Sequence, residues 1–215
     1  MNLINNAKSC RYTVALLFVF AALCGVGSSG VRAQPLTNDP VEMVEITVRD
    51  ALAEVLGNEE YYRNKGDRLQ AMVEERIAPY FNFERMTQLA VGQNWRDASP
   101  EQQTILIDEF RTLLIRTYAN VSYDFRSDLP NIRITPRDIR EQRALVRVEV
   151  AGSRGRRGAV IDIRMEQRQQ RWQVIDVLVD GVSLIVNYRV SFAHEIELGG
   201  IDRLVQALRS NNISQ

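Results

Sequence analysis

The chain has 215 residues, with 27 basic and 27 acidic side chains, one histidine and two cysteines. That balance argues against a general nucleic-acid binder, which is normally strongly basic, and the length allows one domain with a real core. Both cysteines, Cys10 and Cys24, lie near the start, so the rest of the chain has no thiol for disulfides, cysteine metal sites or cysteine nucleophiles.

Lys8 and Arg11 open a segment that continues as an apolar run from Thr13 to Val26 and ends in Val31-Arg32-Ala33, with small residues where a signal peptidase reads them. The run is 14 residues long, too short for a helix across a hydrocarbon core of roughly 30 Å. Leu23 before Cys24 is bulkier than lipid-modification cleavage prefers. The sequence therefore predicts a secretory signal over residues 1–33, removed after Ala33, and a protein released into the bacterial periplasm. Without Lys8, Arg11 and Arg32 the remaining 182 residues carry 24 basic and 27 acidic groups, net −3. Charge is unevenly spread: net −7 over residues 34–130, net +6 over 131–171 with 11 arginines, and net −2 thereafter. Arginine suits bidentate contact with phosphates and carboxylates, so the basic stretch is either a functional face or a set of solvated strand positions.

From Asp39 to Leu56, apolar residues Val41, Val44, Val48, Ala51, Leu52 and Val55 recur at helical steps, and Gly57-Asn58 stops them. Further helices are predicted from about Asp67 to Ala78, ending at Pro79, and from Glu84 to Val91. Ser99-Pro100-Glu101-Gln102 is a start signal: a cap, a proline for the first helical position and a glutamine able to bond back. That helix is expected to reach about Tyr123, with Leu106, Phe110, Leu113, Leu114, Thr117 and Val121 as its buried stripe. After Pro130 the period becomes 2. Strands are predicted at Ile132–Ile134, Ala144–Val150 and Ala159–Glu166, with turns at Ser153–Gly158 and Gln167–Gln170. Trp172–Val179 is apolar on both faces except at Gln173 and Asp176, and should be covered on both sides. Two helices, Val182 to about Ile196 and Ile201 to about Arg209, close the chain. Helices first and an antiparallel meander later imply an α+β fold.

Enzyme signals are thin. His194 lies on a predicted helix among Phe192, Glu195 and Ile196 and reads as a surface or packing residue. Zinc would need further ligands that the sequence lacks, and no acidic loop has calcium or magnesium spacing. Gly181-Val182-Ser183 is no nucleophile elbow, and Ser183 reads better as a helix cap. Asp176, placed mid-strand, is read as a structural partner for an arginine or backbone donors, with a general base as the alternative.

Two stretches carry a resemblance. Phe81-Asn82-Phe83-Glu84-Arg85-Met86-Thr87 with Val91-Gly92-Gln93-Asn94-Trp95-Arg96-Asp97-Ala98-Ser99-Pro100-Glu101-Gln102 is one. Trp172-Gln173-Val174-Ile175-Asp176-Val177, then Asp180 to Arg189, Phe192 and Gly199-Gly200-Ile201-Asp202-Arg203-Leu204 is the other. Together they resemble the toluene-tolerance, MlaC-like periplasmic phospholipid-binding proteins, over essentially the whole chain after residue 33. The arginine-rich turn from Arg154 to Arg157 is a departure. The resemblance implies a twisted four-stranded antiparallel sheet wrapped by about six helices, cone-shaped and cystatin-like, enclosing an apolar cavity in one lipid-binding domain over residues 34–215. It also implies a soluble shuttle, without catalytic residues, metal or cofactor. Its cargo would be phospholipid, carried between an outer-membrane lipoprotein–porin complex and an inner-membrane ABC transporter complex, in the Mla pathway of outer-membrane lipid asymmetry.

Physically such a carrier must shelter methylenes that cost about 0.8 kcal/mol each in water, in a space left between sheet and helices. The expected wall is Val146, Val148, Ile161, Ile163, Ile175 and Val177 on strands, faced by Phe83, Met86, Phe110, Leu114, Tyr118, Leu184 and Tyr188 on helices. Arg189 is placed either on a lipid phosphate at the mouth or in a pair with Asp176 or Asp180. Trp95 either anchors its loop in the core or lines the entrance. Arg154, Arg156 and Arg157 are candidates for docking to a partner or an anionic membrane, and a monomer is expected. Competing readings are an enzyme of the cystatin-like fold using Asp176 as base, and a carrier of another apolar ligand such as a hopanoid or an organic solvent.

Overall fold

A computed structural model describes residues 37–62, 66–119, 131–152 and 158–213. The predicted signal segment, Val121 with the end of its helix, and Arg154, Arg156 and Arg157 lie outside the described residues.

Helix α1 (Pro40–Gly57) starts where expected: the Asp39 carboxylate accepts from the Val41 N–H at 2.8 Å and Pro40 occupies the first turn. A short α2 (Glu59–Tyr62), α3 (Gly66–Arg76) and a 3₁₀ turn (Ala78–Tyr80) follow. Then come α4 (Phe83–Val91), a second 3₁₀ turn (Gly92–Arg96) and the long α5 (Pro100–Ala119). The α5 start is a reciprocal capping box: Gln102 N–H donates to Ser99 Oγ at 3.2 Å and Ser99 N–H to Gln102 Oε1 at 2.9 Å.

The strands β1 (Ile132–Arg140), β2 (Arg143–Val150), β3 (Ala159–Arg168), β4 (Arg171–Val179) and β5 (Val182–Ser183) form one antiparallel sheet in chain order. Five strands thus stand where four were expected. The fifth is a two-residue return made by Asp180-Gly181, both at positive φ, the backbone that a tight hairpin turn requires. β1 also runs well past Ile134. Pairing with β2 carries it to Arg140, and Pro136 with its charged neighbours blunts the outer edge as edge strands commonly do.

The last helix, α6 (Leu184–Ile213), merges the two predicted closing helices, but Gly199 and Gly200 break its helical geometry. At φ 73°, ψ −167° Gly200 occupies a region essentially restricted to glycine. The break brings Arg203 Nε within 2.9 Å of the buried Glu195 carboxylate.

Packing divides into three clusters. α1, with Tyr62, Met72 and Ile77, packs on the inner face of the sheet through Val48, Leu52, Val146, Val148, Ile161 and Met165. α4, α5 and α6 form a second cluster around Phe110, Tyr188 and Phe192, whose ring centroids lie 4.9–5.7 Å apart. Ala78, Ile115 and Ala119 form a small third cluster with Val73 and Phe83 against it. The three do not close completely on one another.

Candidate functional site

Where the clusters meet they leave a cavity of about 120 Å³. Its wall takes Met43, Val44 and Val48 from α1, Leu69, Met72 and Val73 from α3, and Leu114, Ile115 and Tyr118 from α5, over a floor of Ile161, Ile163, Val174 and Val177. Among the described residues the wall has no charged side chain. The Thr47 hydroxyl, one of its few polar groups, donates to the Met43 carbonyl at 2.7 Å and so presents no free donor. Such a surface offers dispersion and water exclusion, and its further side-chain polar groups are the phenols of Tyr80 and Tyr118. On the scale by which an apolar cavity of about 150 Å³ holds one benzene ring, this space encloses about five methylenes, a short run of an acyl chain.

Eight of the thirteen expected wall residues face this space: Phe83, Met86, Leu114, Tyr118, Ile161, Ile163, Val177 and Leu184. Five lie elsewhere, each for a physical reason. Phe110 and Tyr188 are spent in the aromatic cluster with Phe192. Val146 and Val148 sit on β2 beneath α1, which covers that strand and leaves them in solid core. Ile175 is displaced by a bulge: Arg164 pairs with Asp176 but Met165 pairs with Val174, so Ile175 has no partner across β3. A one-residue slip reverses the faces beyond it, so Val174 rather than Ile175 joins Val177 on the floor.

The sequence reading missed the α1 and α3 walls and Phe81. The signal for Phe81 lay in the motif around it. Asn82 N–H donates to the Val174 carbonyl at 2.9 Å, its side-chain amide reaches Gln173 at 3.0 Å, and its carbonyl oxygen caps α4 by accepting from Arg85 N–H at 2.9 Å. This one residue seals the open edge of β4 and sets Phe81 and Phe83, stacked at 5.9 Å, on the cavity wall.

Asp176 is 1% exposed and accepts from Arg164 Nη1 at 3.0 Å, Ser183 Oγ at 2.7 Å and Ile185 N–H at 3.2 Å. Those donors tie β4 to the start of α6. Ser183 in turn caps that helix, accepting from Val186 N–H at 3.0 Å. Arg189 does not pair with Asp176 or Asp180; its Nε donates to the Leu89 carbonyl at 2.8 Å, at the C-terminal end of α4, where a cation is favoured. Trp95 is half-buried against the second cluster. Several strand arginines are paired, Arg147 bidentately with Asp162 at 2.7 Å and Arg164 with Asp176 at 3.0 Å. His194 is exposed, and no group of histidine, cysteine or acidic side chains among the described residues has the arrangement of a metal site.

The profile of the MlaC protein family matches residues 46–210, most of the chain. The protein belongs to the MlaC family. Among curated relatives, the toluene tolerance protein ttg2D of Pseudomonas putida is 23% identical over 167 residues, covering 76% of this chain and 75% of its own. A solved structure of a phospholipid-binding protein from Ralstonia solanacearum, in complex with a phospholipid, superposes with a TM-score of 0.69 at 31% identity. It covers 82% of this chain and 98% of its own. The expected α+β architecture is therefore that of a MlaC-type fold, with the cavity between its sheet and helices. No helix among the described residues is long and apolar enough to cross a membrane.

Proposed function

We propose that this protein is a periplasmic phospholipid carrier, acting without chemistry through residues 34–215 once the segment 1–33 has been removed. The observation that carries this reading is the uncharged cavity between sheet and helices, in a fold held in common with a protein solved in complex with a phospholipid. Acyl methylenes gain about 0.8 kcal/mol each on leaving water, and a wall of Ile, Val, Leu, Met and Phe returns that gain. The eight sequence-expected residues that face the space, together with Phe81, Val174 and the α1 and α3 walls, are the proposed chain contacts. Within the MlaC family's setting, the monomeric carrier exchanges lipid with an outer-membrane lipoprotein–porin complex and an inner-membrane ABC transporter complex.

The test is lipid extraction and mass spectrometry of protein purified from its native compartment, followed by uptake from liposomes. Co-purifying phospholipid at a defined ratio to protein is expected. Protein that carries none and takes up none would overturn the reading, and recovery of a different apolar molecule would redirect it to that cargo.

A further inference from the structure

The chain-binding wall has no charge of its own, so any recognition of a lipid's phosphate must come from its rim. Among the described residues, Arg111 stands beside that wall. Arg111 lies on α5 one turn before Leu114 and Ile115, so it shares their side of the helix. Its guanidinium is 5.6 Å from the ring centroid of Phe83, a partly exposed wall residue. Its Nη2 contacts the Glu74 carboxylate at 2.7 Å, across the seam between α5 and α3 and beside the wall residue Val73. Both partners are substantially exposed, Arg111 at 39% and Glu74 at 45%, and an exposed pair of this kind is held only loosely in water.

We infer that Arg111 is the phosphate contact of the bound lipid, and that Glu74 is its placeholder when the cavity is empty. The inference rests on the phospholipid-carrier reading. A guanidinium matches the oxygens of a phosphate ester bidentately as well as it matches a carboxylate, so the ligand's phosphate replaces Glu74 like for like. The distance from Phe83 is within reach of the glycerol that separates a phosphate from its first methylenes. The exchange also frees α3, of whose described residues only Met72 is buried, from its tie to α5. Recognition of the head and loosening of the wall become one event. Arg189, by contrast, is engaged by the Leu89 carbonyl, and Arg85 is held by Glu166 at 3.2 Å.

The experiment compares two probes with the same chains, dioctanoyl phosphatidylglycerol and dioctanoylglycerol, titrated below their aggregation limits into the full-length protein and three variants. Arg111→Gln is expected to weaken the phospholipid about tenfold or more, the scale of one charge-assisted contact, while leaving dioctanoylglycerol within about twofold. Glu74→Gln removes the competitor and tightens the phospholipid several-fold. The swapped pair Arg111→Glu with Glu74→Arg keeps the tie between helices but moves the cation to α3, and is expected to bind the phospholipid as poorly as Arg111→Gln. Millimolar inorganic phosphate should displace neither probe, because the acyl chains bring the phosphate to Arg111. Equal loss of both probes in Arg111→Gln, unchanged phospholipid binding, or displacement by inorganic phosphate would each overturn the inference. A wild-type protein that binds neither probe would instead overturn the carrier reading.

Discussion

The size of the cavity makes a quantitative prediction about chain length. An apolar cavity of about 150 Å³ holds one benzene ring, so the space of about 120 Å³ here encloses about five methylenes. At about 0.8 kcal/mol each, filling it contributes roughly 4 kcal/mol, of the same size as the least cost of association, about 4 kcal/mol. Single-chain ligands that fill only this space should therefore bind more weakly than millimolar. The slope is the sharper quantity: about 0.8 kcal/mol per methylene is close to a fourfold gain in affinity. A series of lysophosphatidylcholines, measured calorimetrically below their aggregation limits, should tighten about fourfold per carbon at short lengths. The gain should then level off near five buried methylenes, with a heat-capacity change that grows and levels in parallel. A series flat from its shortest members would show that the chain does not enter the cavity. An unbroken rise to the longest chains would show that the wall yields freely and that the closed volume sets no limit.

Four further outcomes follow from the geometry. Asp176→Asn removes a buried charge that three donors face; denaturant unfolding should show a loss of about 1.5–3 kcal/mol, and unchanged stability would contradict its role as the anchor of α6. Asn82→Ala deletes a helix cap and a cross-link to Gln173, so the unfolding midpoint should fall by an amount equal to about 1–2 kcal/mol, with weaker ligand binding because Phe81 and Phe83 lose their frame. Burial pushes the Tyr188 hydroxyl up to about 12 from 10.0, only partly offset by its hydrogen bond with Tyr118. Above pH 10 the unfolded chain therefore releases this proton while the folded one keeps it, so the stability is fully present below pH 10 and drains away towards pH 12, by roughly 2–3 kcal/mol in all; Tyr188→Phe should flatten that alkaline fall, although Tyr62, raised by burial and its bond to Glu54, retains a share. Gly200→Ala forces a side chain into a glycine-only backbone region and should lower stability by about 1–3 kcal/mol in thermal melts, whereas Gly181→Ala, at φ 84° with open space around it, should bear a smaller penalty.

What was legible in the sequence is what depends on near neighbours. Ser99 and Gln102 announce the start of α5 because a capping box is complete within four residues, and the structure closes both of its bonds. The alternation from Ala144 to Val150 and from Ala159 to Met165 orients β2 and β3 correctly because a strand's faces follow its own period. The β4 run fails that logic at one point. Trp172-Gln173-Val174-Ile175-Asp176-Val177 reads as an unbroken strand, and nothing in it marks the extra residue that puts Val174 in the place of Ile175. The bulge is set by what lies alongside, with Phe81 and Asn82 bonded to one edge of Val174 and β3 to the other. The cavity is further still from local pattern. Met43, Val44 and Val48 have the same spacing whether their facing volume is filled or empty, and the same is true of Phe110 and Tyr188, which turn out to fill theirs with each other. Emptiness is a relation among three clusters contributed by α1, α3, α5 and the sheet, so a periodic stripe can propose a buried face but cannot say what is missing in front of it. The same distinction separates the two arginines. Arg189 follows an apolar helix face in the sequence, which makes it a candidate for the headgroup, whereas Arg111 is one more polar position on a long helix until folding sets Phe83 beneath it and Glu74 across from it.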